Sequence, residues 1–318
     1  MSKDNLKRRD FLTGAAVTAF SASLAAAPAD LAKAAEGAGD MPMRILGRTG
    51  LRVSILGLGG FHAGLPEKEE YSTKIIHRAL ELGINFFDNA DCYQKGRAEE
   101  RMGKALEGRR QKIILMSKVD QRDAQGARAT LELSLRHLRT DHLDIWQFHQ
   151  VANMGEIEKI FGPGGALEAA EQAKKEGKIR FIGITGHYDP EVLLAAVKRY
   201  PFDTVQMPIN VVDPHFKSFR GTVVDEAVKR NVGIIGMKPM GRGNITSLEV
   251  ATPSEALRWV WSQPVSLAVV GCEWIEMLDY NVYLAKTFKP MPEGEQASLL
   301  ERTKAHAGAA IEVYKTWG

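Results

Sequence analysis

Hydrophobic residues recur along this chain in two alternating periods. Short, β-branched apolar runs fall at Ser54–Gly57, Asn85–Asp88, Ile113–Ser117, Leu143–Phe148, Arg180–Ile184, Thr204–Met207, Gly233–Gly236 and Leu267–Val270, each bounded by Gly, Asp or Pro. Between them lie stretches of helical period, among them Ser72–Leu82, Ala124–Leu138, Ala166–Glu176, Pro190–Arg199, Thr222–Lys229, Ser254–Gln263 and Glu276–Lys286. In the first of these Ile75, Ile76, Ala79 and Leu80 make one apolar face. Strands that alternate with helices imply parallel pairing through right-handed crossovers. Eight such units in about 250 residues predict a protein of the α/β class built as a closed (β/α)8 TIM barrel. An open doubly wound sheet is the competing architecture, and it usually places GxGxxG after its first strand. Here Gly57-Leu58-Gly59-Gly60-Phe61-His62 lacks the third glycine and the helix it should open. Ahead of the first strand, residues 43–53 set two short apolar stretches about a Gly-rich turn, which predicts an N-terminal β-hairpin.

The first 34 residues follow a different logic. Lys7-Arg8-Arg9-Asp10-Phe11-Leu12 precedes a weakly apolar, Ala-rich run from Thr13 to Ala27, the order of regions in a secretory signal. The arginine pair followed by Phe-Leu resembles the twin-arginine motif, an address read by the twin-arginine translocation machinery. The run is too short and too interrupted for the roughly 20 apolar residues that cross a bilayer, so no permanent anchor is expected. Ala32-Lys33-Ala34 fits the small-x-small rule, which places cleavage after Ala34. Ala25-Ala26-Ala27 fits it too, but Pro28 would follow the cut. The expectation is a cleaved signal over 1–34, one barrel domain over 35–318, and export to the periplasm.

Composition adds exclusions. Formal net charge is +3, and the leader carries part of it, with five Lys/Arg against three Asp. No basic stripe follows, so a nucleic-acid surface is not expected. Cys92 and Cys272 are the two cysteines, too few for a cluster, a structural zinc or a disulfide framework. The eight His lack ligand spacing, and no metal site is expected.

Barrel enzymes carry their chemistry on the loops at the C-terminal ends of the strands. There the chain offers Asp88 with Tyr93 five residues on, Lys118, and His149. Each has a structural explanation when taken alone: a turn cap, a rim aromatic, a snorkelling lysine, a satisfied core histidine. Together they point to chemistry. A lysine entering the mouth behind Ile113-Ile114-Leu115-Met116-Ser117 wants a carboxylate partner, and Asp88 on the adjacent strand is the natural one. The pair's positive charge should lower the Tyr93 pKa from about 10 toward the working range of a proton donor.

These residues resemble the aldo-keto reductase family, most specifically at Gly83-Ile84-Asn85-Phe86-Phe87-Asp88-Asn89-Ala90-Asp91-Cys92-Tyr93. Ile114-Leu115-Met116-Ser117-Lys118 and Asp144-Ile145-Trp146-Gln147-Phe148-His149 match the next two motifs in order and spacing. The resemblance implies a catalytic tetrad of Asp88, Tyr93, Lys118 and His149. In it Tyr93 protonates the substrate oxygen as hydride arrives, Lys118 with Asp88 tunes Tyr93, and His149 orients the carbonyl. It also implies a nicotinamide cofactor whose carboxamide meets Thr185, Gly186 and Gln206. Thr185-Gly186-His187 stands where Ser-Asn is commoner, and Ile209 where an aromatic ring commonly stacks. Met237-Lys238-Pro239-Met240-Gly241-Arg242-Gly243 resembles the loop that wraps the pyrophosphate, with Lys238, Pro239, Gly241 and Arg242 as its contacts. The segment from Gly271 to Asn281 resembles the adenosine-phosphate motif. Glu273 stands where a basic residue would meet a 2′-phosphate, which favours NAD(H) over NADP(H). The resemblance thus implies an oxidoreductase acting on a small carbonyl or on an alcohol or sugar. A cofactor-binding redox sensor with slow turnover, like the family's channel-associated members, is the alternative. Trp317, His187, Phe61 and His215 are further pocket candidates for which packing is an equal explanation.

Overall fold

The computed structural model describes residues 28–316. The twin-arginine segment, the apolar run Thr13–Ala27 and Trp317 lie outside the described residues.

The first two strands, β1 (Met43–Ile45) and β2 (Arg52–Ser54), pair antiparallel as the expected hairpin, with Met43 opposite Ser54. Eight parallel strands then close a barrel: β3 (Leu56–Gly59), β4 (Phe86–Asp88), β5 (Ile114–Val119), β6 (Leu143–Phe148), β7 (Ile179–Thr185), β8 (Thr204–Pro208), β9 (Gly233–Met237) and β10 (Leu267–Val270). They follow chain order around the barrel, and β10 closes onto β3. The first barrel strand begins two residues later than the sequence pattern predicts. Ser54 is taken by the hairpin instead, where its backbone N–H donates to Asn85 Oδ1 at 2.8 Å.

The hairpin plugs the N-terminal end of the barrel. Leu46 and Val53 are fully buried and join Phe86, Ile114, Met116, Ile145, Ile235 and Leu267 in the barrel interior. Backbone meets backbone there without room for a side chain: a Cβ on Gly47 would lie 2.3 Å from the Gly233 nitrogen. With the bottom closed, the opposite end is the open one, where the loops that leave the strands gather.

Several helices escaped the hydrophobic pattern. Arg97–Leu106 hides its apolar face (Ala98, Met102, Ala105) among charges, two of which are themselves buried. Glu99 accepts from Ser117 Oγ at 2.5 Å, and Arg101 donates to the carbonyls of Ala63 and Pro66 at 3.0 and 2.8 Å. Met154–Phe161 lies between β6 and β7 ahead of the helix expected at Ala166–Glu176, and Glu293–Lys304 follows the last barrel helix. A further helix, Pro28–Gly37, spans the Ala34–Ala35 bond. Leu31 and Ala35 are buried, Lys286 Nζ donates to the Ala35 carbonyl at 2.9 Å, and Arg78 donates to Glu36 at 2.7 Å. No helix among the described residues is long and apolar enough to cross a membrane.

Candidate active site

A cleft of about 590 Å³ opens at the C-terminal ends of the strands. Asp88 ends β4, Lys118 lies on β5 beside it, and His149 follows β6. All three are buried: Asp88 at 5% exposure, Lys118 at 1% and His149 at 3%. Tyr93 comes in from the turn after β4. Lys118 Nζ donates to the Asp88 carboxylate, to the Asn89 carbonyl at 2.6 Å and to the Tyr93 hydroxyl at 3.4 Å. The Tyr93 and His149 rings stand edge to face, with centroids 5.9 Å apart. The four residues that the sequence placed at strand ends are therefore in one constellation.

Its electrostatics correct one expectation. Burial pushes the Tyr93 phenol up, and this outweighs the lowering by Lys118, so the hydroxyl sits at about 12. Tyr93 is thus a fully protonated donor at neutral pH, not a phenol pre-shifted toward ionisation. Burial works against the Lys118 charge, but Asp88 and Tyr93 overcome it and hold the ammonium above its ordinary range. Burial likewise lowers His149, and its ring is neutral at neutral pH.

Asp120, two residues beyond Lys118, was not singled out from the sequence. Its Oδ1 lies 3.1 Å from His149 Nδ1. Burial raises its carboxyl, yet the hydrogen bond and charge of His149 prevail and keep it below the usual range. A carboxylate only accepts, so Nδ1 carries the ring proton and Nε2 is left as an acceptor for the cleft. Arg122 donates to the His149 carbonyl at 2.6 Å and fixes the backbone behind it. The rule that chemistry sits at strand ends could have found Asp120, since it directly follows β5.

Of the residues expected to meet a cofactor, Lys238, Pro239 and Arg242 line the cleft, as do Gly271, Glu273 and Asn281. Gln206 also reaches it. Thr185, Gly186 and Gly241 are set back from it. The Thr185 hydroxyl accepts from the Gln150 backbone N–H at 3.0 Å and is occupied there. Gly241 makes the turn at φ +55°, and a side chain on it would point at Ile245 and Ile311. His187, for which packing was an equal explanation, lines the cleft at 5% exposure.

The wall fits a polar, anionic ligand. Burial first, then the charges of Arg242 and Lys118, lower the Lys238 amine to about 8, against a smaller raising by Asp88. Three buried atoms on the same wall, Gln206 Oε1, Asn281 Oδ1 and His187 Nδ1, find no hydrogen-bond partner among the described residues. At one edge His62 Nε2 lies 3.8 Å from Glu273, and a Cβ on Gly271 would lie 1.9 Å from the His62 ring. Only glycine leaves that imidazole its place.

A model of the aldo/keto reductase family matches residues 55–256. The chain is 29% identical over 230 residues to the oxidoreductase YqkF of Bacillus subtilis (strain 168), covering 69% of this chain and 71% of that one. It is 30% identical over 219 residues to L-galactose dehydrogenase of Arabidopsis thaliana, covering 64% of this chain and 67% of that one. Among solved structures, the holo form of an aldo-keto reductase from Bacillus halodurans superposes with a TM-score of 0.73 at 27% identity. That alignment covers 84% of this chain and 98% of the other.

Proposed function

The chain belongs to the aldo/keto reductase family, and from that premise we propose that it moves hydride between a nicotinamide nucleotide and a carbonyl or alcohol, with Tyr93 handling the proton. The observation that carries this reading is the contact chain from Asp88 through Lys118 to the Tyr93 hydroxyl beside His149. When bound, the nucleotide supplies or accepts the hydride at the substrate carbon. In reduction, Tyr93 gives its proton to the substrate oxygen as the C=O bond becomes C–O–H. The phenolate so formed lies within reach of the Lys118 ammonium, which stabilises it until solvent returns the proton. In oxidation the Tyr93 phenolate takes the substrate hydroxyl proton, and the neutral His149 ring, held by Asp120, lines the same mouth.

Lys238 and Arg242 would hold the pyrophosphate, and Gln206 with Asn281 would satisfy their orphaned oxygens on the nucleotide's amide and adenosine ends. Glu273 at the cleft edge favours NAD(H), since its carboxylate would repel a 2′-phosphate. The likeness to an L-galactose dehydrogenase supports including sugars in the substrate class. The Arg8-Arg9 motif supports export by the twin-arginine route, with the periplasm as the destination. Steady-state turnover on a panel of aldehydes, ketones and sugars, run in both directions with each nucleotide, tests the reading. Turnover coupled one to one to the nicotinamide absorbance is expected. Tight nucleotide binding without turnover on any member would overturn it.

A further inference from the structure

The mouth of the cleft holds a second constellation that the hydride reaction does not use. Cys92 follows β4, Asp120 follows β5 and His149 follows β6, so three adjacent strand ends bring a thiol, a carboxylate and an imidazole together. Cys92 Sγ is 3.5 Å from His149 Nδ1, which is 3.1 Å from Asp120 Oδ1. All three donor atoms lie within 4.8 Å of one another. Metal-binding sequence motifs miss such a set because its members are scattered over three loops.

We propose that Cys92 Sγ, His149 Nδ1 and Asp120 Oδ1 form a three-ligand site for a zinc-class divalent cation, and that filling it shuts the enzyme off. Geometry argues first. With Zn–S near 2.3 Å and Zn–N and Zn–O near 2.0–2.2 Å, a tetrahedral ion needs an S···N edge of about 3.6 Å and an N···O edge of about 3.4 Å. The observed 3.5 and 3.1 Å need only small adjustments. Ligand chemistry argues second: one thiolate, one imidazole and one carboxylate suit zinc or cobalt(II) and not magnesium or calcium, which prefer all-oxygen shells. The surroundings argue third. Cys92 is exposed and lines the cleft, so an ion can enter from there, and the acidic Asp91 lies close enough to act on the thiol. Of the opposing charges, the Lys118 ammonium is already paired with Asp88 and the Arg122 guanidinium with Glu156. Two of the three ligands, Cys92 and His149, line the cleft, so the site is reached from it.

Binding exchanges protons for the ion in a balanced way. The Cys92 S–H proton leaves to solvent as the sulfur–metal bond forms. The His149 proton moves from Nδ1 to Nε2 through solvent, so the ring stays neutral and Nε2 becomes a donor. One proton is released per ion. The filled site places a dication beside Tyr93 and His149, where the substrate oxygen must dock, which is why turnover stops. That second half rests on the reductase reading; the binding half does not.

Cobalt(II) is the probe for binding. Titrated into the full, metal-free chain, it should give a one-to-one, intense visible spectrum of a tetrahedral ion with a thiolate-to-cobalt charge-transfer band. Zinc should then bleach that spectrum. Cys92→Ser should abolish the band, and Asp120→Asn should weaken binding at least tenfold. Cys272 is buried against Asn281 and should contribute nothing. No charge-transfer band, or a band that survives in Cys92→Ser, overturns the site. Zinc should abolish carbonyl reduction with the midpoint seen in the binding titration, moved at least tenfold by Cys92→Ser. Cobalt and zinc bound as described with turnover unaffected overturns the shut-off and leaves the site. A chain without reductase activity still gives the spectral answer, so the two failures are distinguishable.

Discussion

Lys238 makes nucleotide binding depend on pH in a direction that the structure sets. Its amine is pressed by burial and by the Arg242 and Lys118 charges to about 8, well below the ordinary lysine range. A pyrophosphate placed against it favours the charged form and raises that value, so above pH 8 binding must take up a proton. Affinity is therefore greatest below the free-state value and is lost as pH rises through it. If the bound amine stays protonated to pH 10, the dissociation constant weakens about tenfold between pH 7 and pH 9, from the one-unit equivalence of tenfold in an equilibrium constant. Lys238→Met should remove both the slope and a charge-assisted contact of about 1.5–3 kcal/mol. Calorimetric titration of NAD(H) at pH 7, 8 and 9, in buffers of different ionisation enthalpy, measures affinity and proton uptake together. A flat dissociation constant over that range, or the same slope in Lys238→Met, would refute the assignment of Lys238 to the pyrophosphate.

Glu273→Arg should shift nucleotide preference toward the phosphorylated form by about 1–3 kcal/mol, read as the ratio of the two dissociation constants. Lys315→Met should destabilise the fold by about 3–5 kcal/mol in chemical denaturation. Lys315 Nζ is fully buried between Asp213 Oδ1 at 2.7 Å and Glu312 Oε2 at 2.8 Å, so its loss strands two carboxylates; loss of under 1 kcal/mol contradicts this. A chain beginning at Ala35 should be less stable than one beginning at Pro28 by about 1.5–3 kcal/mol, the value of burying one leucine, because Leu31 is 4% exposed. Paired thermal melts decide it.

The barrel was legible because its helices and strands differ in period, and each boundary carried Gly, Pro or Asp. The cluster of Asp88, Tyr93, Lys118 and His149 was legible because three of its members sit at strand ends, where a polar residue after an apolar run stands out. Other features were not. The helix Arg97–Leu106 buries Glu99 and Arg101, so its inward face does not look apolar until the partners at Ser117, Ala63 and Pro66 are known. Cys92 matters through what it touches across three loops, which spacing along the chain cannot register, whereas Asp120 directly follows β5 and was open to the strand-end rule. The direction of the Tyr93 shift was misjudged for a related reason: a charge partner can be inferred from sequence, whereas the degree of burial that outweighs it cannot.

The central claim is that the Tyr93 hydroxyl transfers the proton and plays no part in holding the nucleotide. Tyr93→Phe deletes that oxygen and keeps the ring against Phe61 and His149. The measurement is its single-turnover rate on a carbonyl substrate that the wild type reduces, taken with the nucleotide dissociation constant on the same preparation. The account predicts a rate down by about 10²-fold or more, the usual worth of a positioned general acid, with the dissociation constant within about twofold of wild type. Reduction near the wild-type rate would contradict it.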